Sequence, residues 1–262
     1  MASASQYASH DLGGITRKIY VMVLPDLSIA DVNYTTVSVS AGSATVATTV
    51  TLANDGAATS ATTEGKVLLT LCRRGAPIPA HLRPLEPANC KGLPTVATKQ
   101  LQFEPIAAGQ LATKDVAFEL AKPALWDPEH PHLYTLQVDL DGGKQQTALR
   151  MGIRTLQVAG NQVLVNGKPI KGRGTTRHET HPLFGRSLWG VAPEGGQWER
   201  DIIAFRDLNV NWIRTSHYPP AVSAHARSVL IISEDDTFMK MVMIASMTMI
   251  AVMMMALVGR RS

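Results

Sequence analysis

Gly174-Thr175-Thr176-Arg177-His178-Glu179-Thr180-His181-Pro182 and, further along the chain, Arg214-Thr215-Ser216-His217-Tyr218-Pro219 are the two stretches that decide the fold. Each is preceded by a short apolar run that reads as a strand. Between them Trp198, Ile202, Phe205 and Leu208 fall at helical intervals, with Glu199, Arg200, Asp201 and Arg206 filling the other positions. Strand, helix and strand with a crossover of this length predict a βαβ unit, which belongs to a parallel sheet. His178 and His217 then stand at the same end of neighbouring strands, the end where a (β/α) barrel keeps its chemistry.

Just upstream, Val163-Leu164-Val165-Asn166-Gly167-Lys168-Pro169-Ile170 reads as a hairpin, because Asn-Gly supplies the two positive-φ positions of a tight type I′ turn. Before it, short runs alternate apolar and polar residues: Val46, Val50 and Leu52; Lys66 to Leu71; Val116, Phe118 and Leu120; Tyr134, Leu136, Val138 and Leu140. Turn residues bound them at Asn54-Asp55-Gly56, Arg74-Gly75, Ala108-Gly109 and Asp141-Gly142-Gly143. Period-two alternation of this kind predicts an antiparallel, immunoglobulin-like sandwich with one wet face per sheet. Further back, the apolar residues 15–25 read as a last strand separated from its sheet.

The fold class expected is therefore an all-β immunoglobulin-like sandwich followed by the first βαβ part of an incomplete (β/α)8 barrel. The divisions expected are residues 1–25, a remnant of an earlier domain; 26–156, the sandwich; 157–219, the barrel start; and 220–262, an unmatched tail. Val229 to Asp236 has the form of a degenerate third strand ending in acids, but the helix before it is poor, and the sequence weighs against one.

A chain of 262 residues, 45% apolar and 18% charged, buries a real core. The net charge of +4 is carried by scattered residues, the longest basic runs being pairs such as Arg73-Arg74, so no nucleic-acid partner is expected. Cys72 and Cys90 fit no zinc or redox spacing, and their pairing is left open. Met1 to Gln6 lacks the basic start and apolar run of a secretory signal, and the compartment stays open. Asn33-Tyr34-Thr35 matches the N-glycosylation sequon, which matters only in a secretory compartment. Residues 241–258 carry no charge and are rich in methionine. They have the length of a membrane-spanning helix, which gives a membrane contact through the tail, but a shifted reading frame or a buried helix yields the same composition.

Several ordered motifs together resemble glycoside hydrolase family 2, and within it the β-galactosidases: Asn166-Gly167-Lys168-Pro169 leading to Arg177-His178-Glu179 and His181-Pro182, then Asp201, then Asn209-Val210-Asn211 leading to Arg214 and Ser216-His217-Tyr218-Pro219. Leu125-Trp126-Asp127-Pro128-Glu129-His130-Pro131-His132-Leu133-Tyr134 resembles the family's end-of-sandwich signature. Gly13-Gly14-Ile15-Thr16-Arg17 resembles the last strand of its N-terminal jelly-roll. The resemblance implies retaining hydrolysis of terminal, non-reducing β-D-galactosides by a TIM barrel. It gives His178, His217 and Arg214 as substrate-binding residues: the histidines donate hydrogen bonds to sugar hydroxyls, and Arg214 holds neighbouring carboxylates. Where the family usually has asparagine before Arg177, this chain has Thr176. Gly172 stands where a bulky apolar residue is expected, which should weaken core packing.

Retaining hydrolysis needs two carboxyl groups about 5–5.5 Å apart, as acid/base and nucleophile. In the family both are glutamates on later barrel strands, so the resemblance implies that this chain contains no catalytic residue and is inactive alone. It needs no cofactor, and the magnesium that complete β-galactosidases of the family hold is bound by acidic residues further along. The expected partner is a β-galactoside or related sugar, with self-association through exposed strand edges. The alternative is a noncatalytic binding or scaffolding sandwich, tethered to a membrane by its tail.

Overall fold

The computed structural model describes residues 21–56, 63–74, 89–178, 201, 204–205, 207–216 and 230–232. Two antiparallel sheets form the sandwich. One contains β1 (Leu27–Val39), β2 (Ser43–Asn54) and β5 (Gln110–Ala121) in the order β1-β2-β5. The other contains β3 (Thr63–Arg73), β4 (Thr95–Ile106), β6 (Tyr134–Leu140) and β7 (Gln145–Met151) in the order β4-β3-β6-β7. Successive strands change sheet between β2 and β3, between β4 and β5, and between β5 and β6, so the two sheets are built from interleaved segments of the chain.

The alternation in sequence becomes the core. Along β2, Val46, Val50 and Leu52 are buried, and opposite them lie Val67, Leu69 and Leu71 of β3 and Leu136, Val138 and Leu140 of β6, with Phe103 and Phe118 in the same cluster. The outer face of β2 is polar. Thr45 Oγ1 donates to Glu119, Thr49 Oγ1 donates to Asp115, and Thr51 pairs with Thr113, all across the β2–β5 rungs. Thr48 is the exception, a buried threonine whose hydroxyl has no protein partner among the described residues.

Turns follow the sequence expectation. Asn166 and Gly167 have φ of 51° and 74°, and Asp141, Gly142 and Gly143 have φ of 48°, 71° and 101°. The tip between β6 and β7 and the hairpin beyond the sandwich therefore reverse through left-handed residues. At the corner leading into β6, the buried Tyr134 accepts a hydrogen bond at its hydroxyl from Ala124 N at 2.9 Å, which ties the strand to the segment crossing from β5. Cys72, at the end of β3, forms a disulfide with Cys90. In the same corner Arg74 Nε donates to Thr135 Oγ1, and burial lowers the pKa of its guanidinium.

Beyond the sandwich come a meander of β8 (Leu156–Ala159), β9 (Gln162–Val165) and β10 (Lys168–Ile170), and then a parallel sheet of β11 (Gly174–His178), β12 (Trp212–Ser216) and β13 (Leu230–Ile232). The third strand corrects the sequence expectation. Leu230, Ile231 and Ile232 pair in parallel with Trp212, Ile213 and Arg214, because an open strand edge offers ladder bonds that a short apolar run takes up whatever helix precedes it. The strand expected over residues 15–25 is corrected where it is described. Residues 21–25 form no strand, and Val21, Met22 and Val23 stand exposed, because no described strand lies beside them to pair with. Residues 241–258 lie outside the described residues; among those described, no helix is long and apolar enough to cross a membrane.

Candidate functional site at the ends of β11 and β12

The site is assembled from the sandwich outward. Trp126 is buried against Val165, with Leu133, Leu156, Ile170 and Trp212 packed around the pair, so one apolar cluster joins the end of the sandwich, the meander and the first residue of β12. Asn166 contributes to its polar frame. Asn166 Nδ2 donates to Trp126 O at 3.0 Å, while Asn166 Oδ1 accepts from Thr155 N at 3.0 Å. The residue read from the sequence only as a turn former thus also clamps the meander to the sandwich. Gly152 lets Trp126 lie against the backbone, since a Cβ there would stand 2.8 Å from the indole Cγ. Arg154 lies over the indole, 4.4 Å from the ring centroid.

A second set of bonds fixes how β11 and β12 begin. Asn211 Oδ1 accepts from Arg173 N at 2.8 Å, its Nδ2 donates to Lys171 O at 3.1 Å, and its main-chain N–H donates to Arg173 O. Arg173 donates in turn to Asn209 O and to Asn209 Oδ1. Asn209 has φ of 58°, ending the helical turn in which Leu208 N donates to Ala204 O. Sequence reasoning assigned Asn209 and Asn211 no role. The signal available was the Asn209-Val210-Asn211 motif of the family resemblance, just ahead of a strand.

Gly172 needs a correction. A Cβ at this position would lie 3.2 Å from Trp212 Cε3, so the space expected for a bulky residue is filled from the neighbouring strand by the indole, and packing is not lost. On the next residue of β12, Ile213 is buried against Phe205 and Val210, as a strand under a crossover helix must be. Leu208, expected on that helix's apolar face, is instead exposed in its last turn.

With the first residues of the two strands pinned in this way, β11 and β12 run in parallel register from Gly174 opposite Trp212 to His178 opposite Ser216. Arg214 stands opposite Thr176. The main chains of His178 and Arg214 are thus placed, while their side chains, and all of His217, lie outside the described residues. Adjacent strands stand about 4.8 Å apart. In sequence, His217 directly follows Ser216, the residue that shares a rung with His178. Among the described residues no group of three or more His, Cys, Asp or Glu side chains is placed to hold a metal ion.

A family model described as "Glycosyl hydrolases family 2, TIM barrel domain" matches residues 156–226, and one described as "Glycosyl hydrolases family 2" matches residues 90–154. The chain belongs to glycosyl hydrolase family 2. Within this family it is 28% identical over 215 residues to a β-galactosidase of Thermoanaerobacter pseudethanolicus, covering 80% of this chain and 25% of that protein. It is 36% identical over 126 residues to a β-galactosidase of Arthrobacter sp., covering 48% of this chain and 12% of that protein. The chain spans a quarter or less of the length of these family 2 relatives. Among solved structures, Bifidobacterium dentium β-glucuronidase complexed with coumarin-3-O-glucuronide has a TM-score of 0.59 at 26% identity, over 80% of this chain and 30% of that one. A family 2 member from Bacteroides cellulosilyticus shares the fold, with a TM-score of 0.63 at 22% identity, over 80% of this chain and 27% of that one.

Proposed function

We propose that this chain is the sandwich and barrel start of a retaining β-galactosidase, and that His178, His217 and Arg214 line the subsite for the terminal galactose. In this reading residues 1–25 are the remnant of a jelly-roll, 26–156 the sandwich and 157–219 the barrel start, whose sheet β13 continues. The observation that carries it is the parallel register of β11 and β12, which ends with His178 opposite Ser216. A hexose offers several hydroxyls at once. Two imidazoles can donate to two of them, without adding a fixed positive charge beside a developing oxocarbenium ion.

The lean to galactose over other sugars is supported by the β-galactosidases among the relatives. Hydrolysis also requires two carboxyl groups, which the family carries on later barrel strands, so the chain alone binds without turning over.

The test uses chromogenic β-galactoside, β-glucoside and β-glucuronide. The expected result is no turnover by the chain alone. Joined to the remaining barrel strands of the T. pseudethanolicus enzyme, it should prefer the galactoside. His178→Ala and His217→Ala should each lower kcat/KM about 10- to 100-fold, the worth of one hydrogen bond at ~1.4–2.7 kcal/mol. A preference for the glucuronide would overturn the choice of sugar. Full activity in both histidine variants would overturn the site.

A further inference from the structure

We infer that Asn33 is an acceptor for an N-linked glycan. The chain contains one Asn-X-Ser/Thr sequon, Asn33-Tyr34-Thr35, and the structure places it in the middle of β1, a strand at the edge of its sheet. In an extended strand, residues two apart share a face, and here Asn33 and Thr35 are both exposed while Val32 and Tyr34 between and beside them pack toward the core. Amide and hydroxyl, the two groups that define the acceptor, therefore stand on the same outward face. Asn33 pairs in register with Thr49, whose side chain belongs to the polar outer surface that also carries Asp115, so a glycan there covers hydrated groups and displaces no core residue. Among the described residues, Asn33 Nδ2 donates to the exposed Asp31 carboxylate, a bond that water replaces at little cost.

The second, independent observation is the Cys72–Cys90 disulfide. Such bonds persist where the surroundings are oxidising, which in a eukaryotic cell is the compartment that holds the glycosylation machinery. A disulfide and a sequon in one sandwich fit the same oxidising environment.

The reaction is a group transfer without redox change. Asn33 Nδ2 forms a bond to the anomeric carbon of an oligosaccharide carried on a polyprenyl diphosphate. The bond from that carbon to the diphosphate oxygen breaks, the amide proton goes to a base of the transferase, and the polyprenyl diphosphate leaves. A glycan on β1 also shields the open N–H and C=O groups of that strand, the place where two copies of the sandwich would otherwise pair edge to edge.

Translation of the full chain behind a secretory leader, in the presence of endoplasmic-reticulum microsomes, tests this without depending on yield of folded protein. One discrete upward gel shift is expected, removed by a peptide N-glycosidase, absent in Asn33→Gln and in Thr35→Ala, and kept in Thr35→Ser. A chain of unshifted mass, or a glycosidase-sensitive shift that survives Asn33→Gln, overturns the inference.

Discussion

Asn166 bears the most on how the barrel start is held, because it serves a turn and a clamp at once, and the two roles can be separated by substitution. Glycine tolerates the φ of 51° at this position but removes both side-chain bonds, to Trp126 O and from Thr155 N. Each is worth about 0.5–1.5 kcal/mol net, so Asn166→Gly should lose ~1–3 kcal/mol, with up to ~1 kcal/mol more from the freedom glycine adds to the unfolded chain. Asn166→Ala loses the same bonds and also exchanges a residue that tolerates the left-handed region for one that does not, for up to ~1 kcal/mol more. Asn166→Asp keeps the acceptor for Thr155 N but sets a carboxylate oxygen where an N–H faced Trp126 O. Its folded-state pKa is then raised, so the variant is weakest above the ordinary aspartate range and recovers stability as the pH falls through the raised value. Urea unfolding followed by tryptophan fluorescence reads all three at constant m-value. The reasoning fails if Asn166→Gly lies within about 0.5 kcal/mol of the parent, or if Asn166→Asp shows no pH-dependent difference from it.

Tyr134→Phe removes the hydroxyl that accepts from Ala124 N and should cost about 1 kcal/mol with the fold intact, read as a shift of the urea midpoint. Thr48→Val, which replaces an unpartnered buried hydroxyl by a methyl in the sandwich core, should stabilise the chain by about 1 kcal/mol in the same assay. Reducing the Cys72–Cys90 disulfide, which closes a separation of 18 residues, should destabilise the sandwich by ~3 kcal/mol, seen as a lower urea midpoint with reductant and no such effect in the Cys72→Ser/Cys90→Ser double variant. Gly172→Leu, which would restore the bulk expected from the family, should lower thermal stability because its side chain meets the Trp212 indole.

What could be read in advance follows the physics of each element. β2 and β6 face the core on one side and water or their neighbours on the other, so their alternation is written plainly in Val46, Val50 and Leu52 and in Tyr134, Leu136, Val138 and Leu140. β4 was not singled out, because at the edge of its sheet it buries only Phe103 and Ile106 and carries no regular alternation. β1 was missed for a related reason, since outside its first residues its pattern is of half-buried and exposed positions. At the candidate site the order of strand, helix and strand was legible. The asparagine bonds that hold the beginnings of β11 and β12 were not, because Asn211 contacts Lys171 and Arg173 across a separation in sequence that no local pattern records.

The amino-acid sequence by itself determined the period of the strands, the left-handed turn at Asn166-Gly167 and the order of the ββ and βαβ units, because each depends on residues adjacent or a few positions apart. Only the tertiary structure decided that Leu230–Ile232 joins the parallel sheet, that Trp212 fills the space beside Gly172, and that Cys72 meets Cys90. Those outcomes depend on which surfaces remain open once distant segments have packed. Burial and ladder bonding are settled between neighbours in space, whatever their distance along the chain.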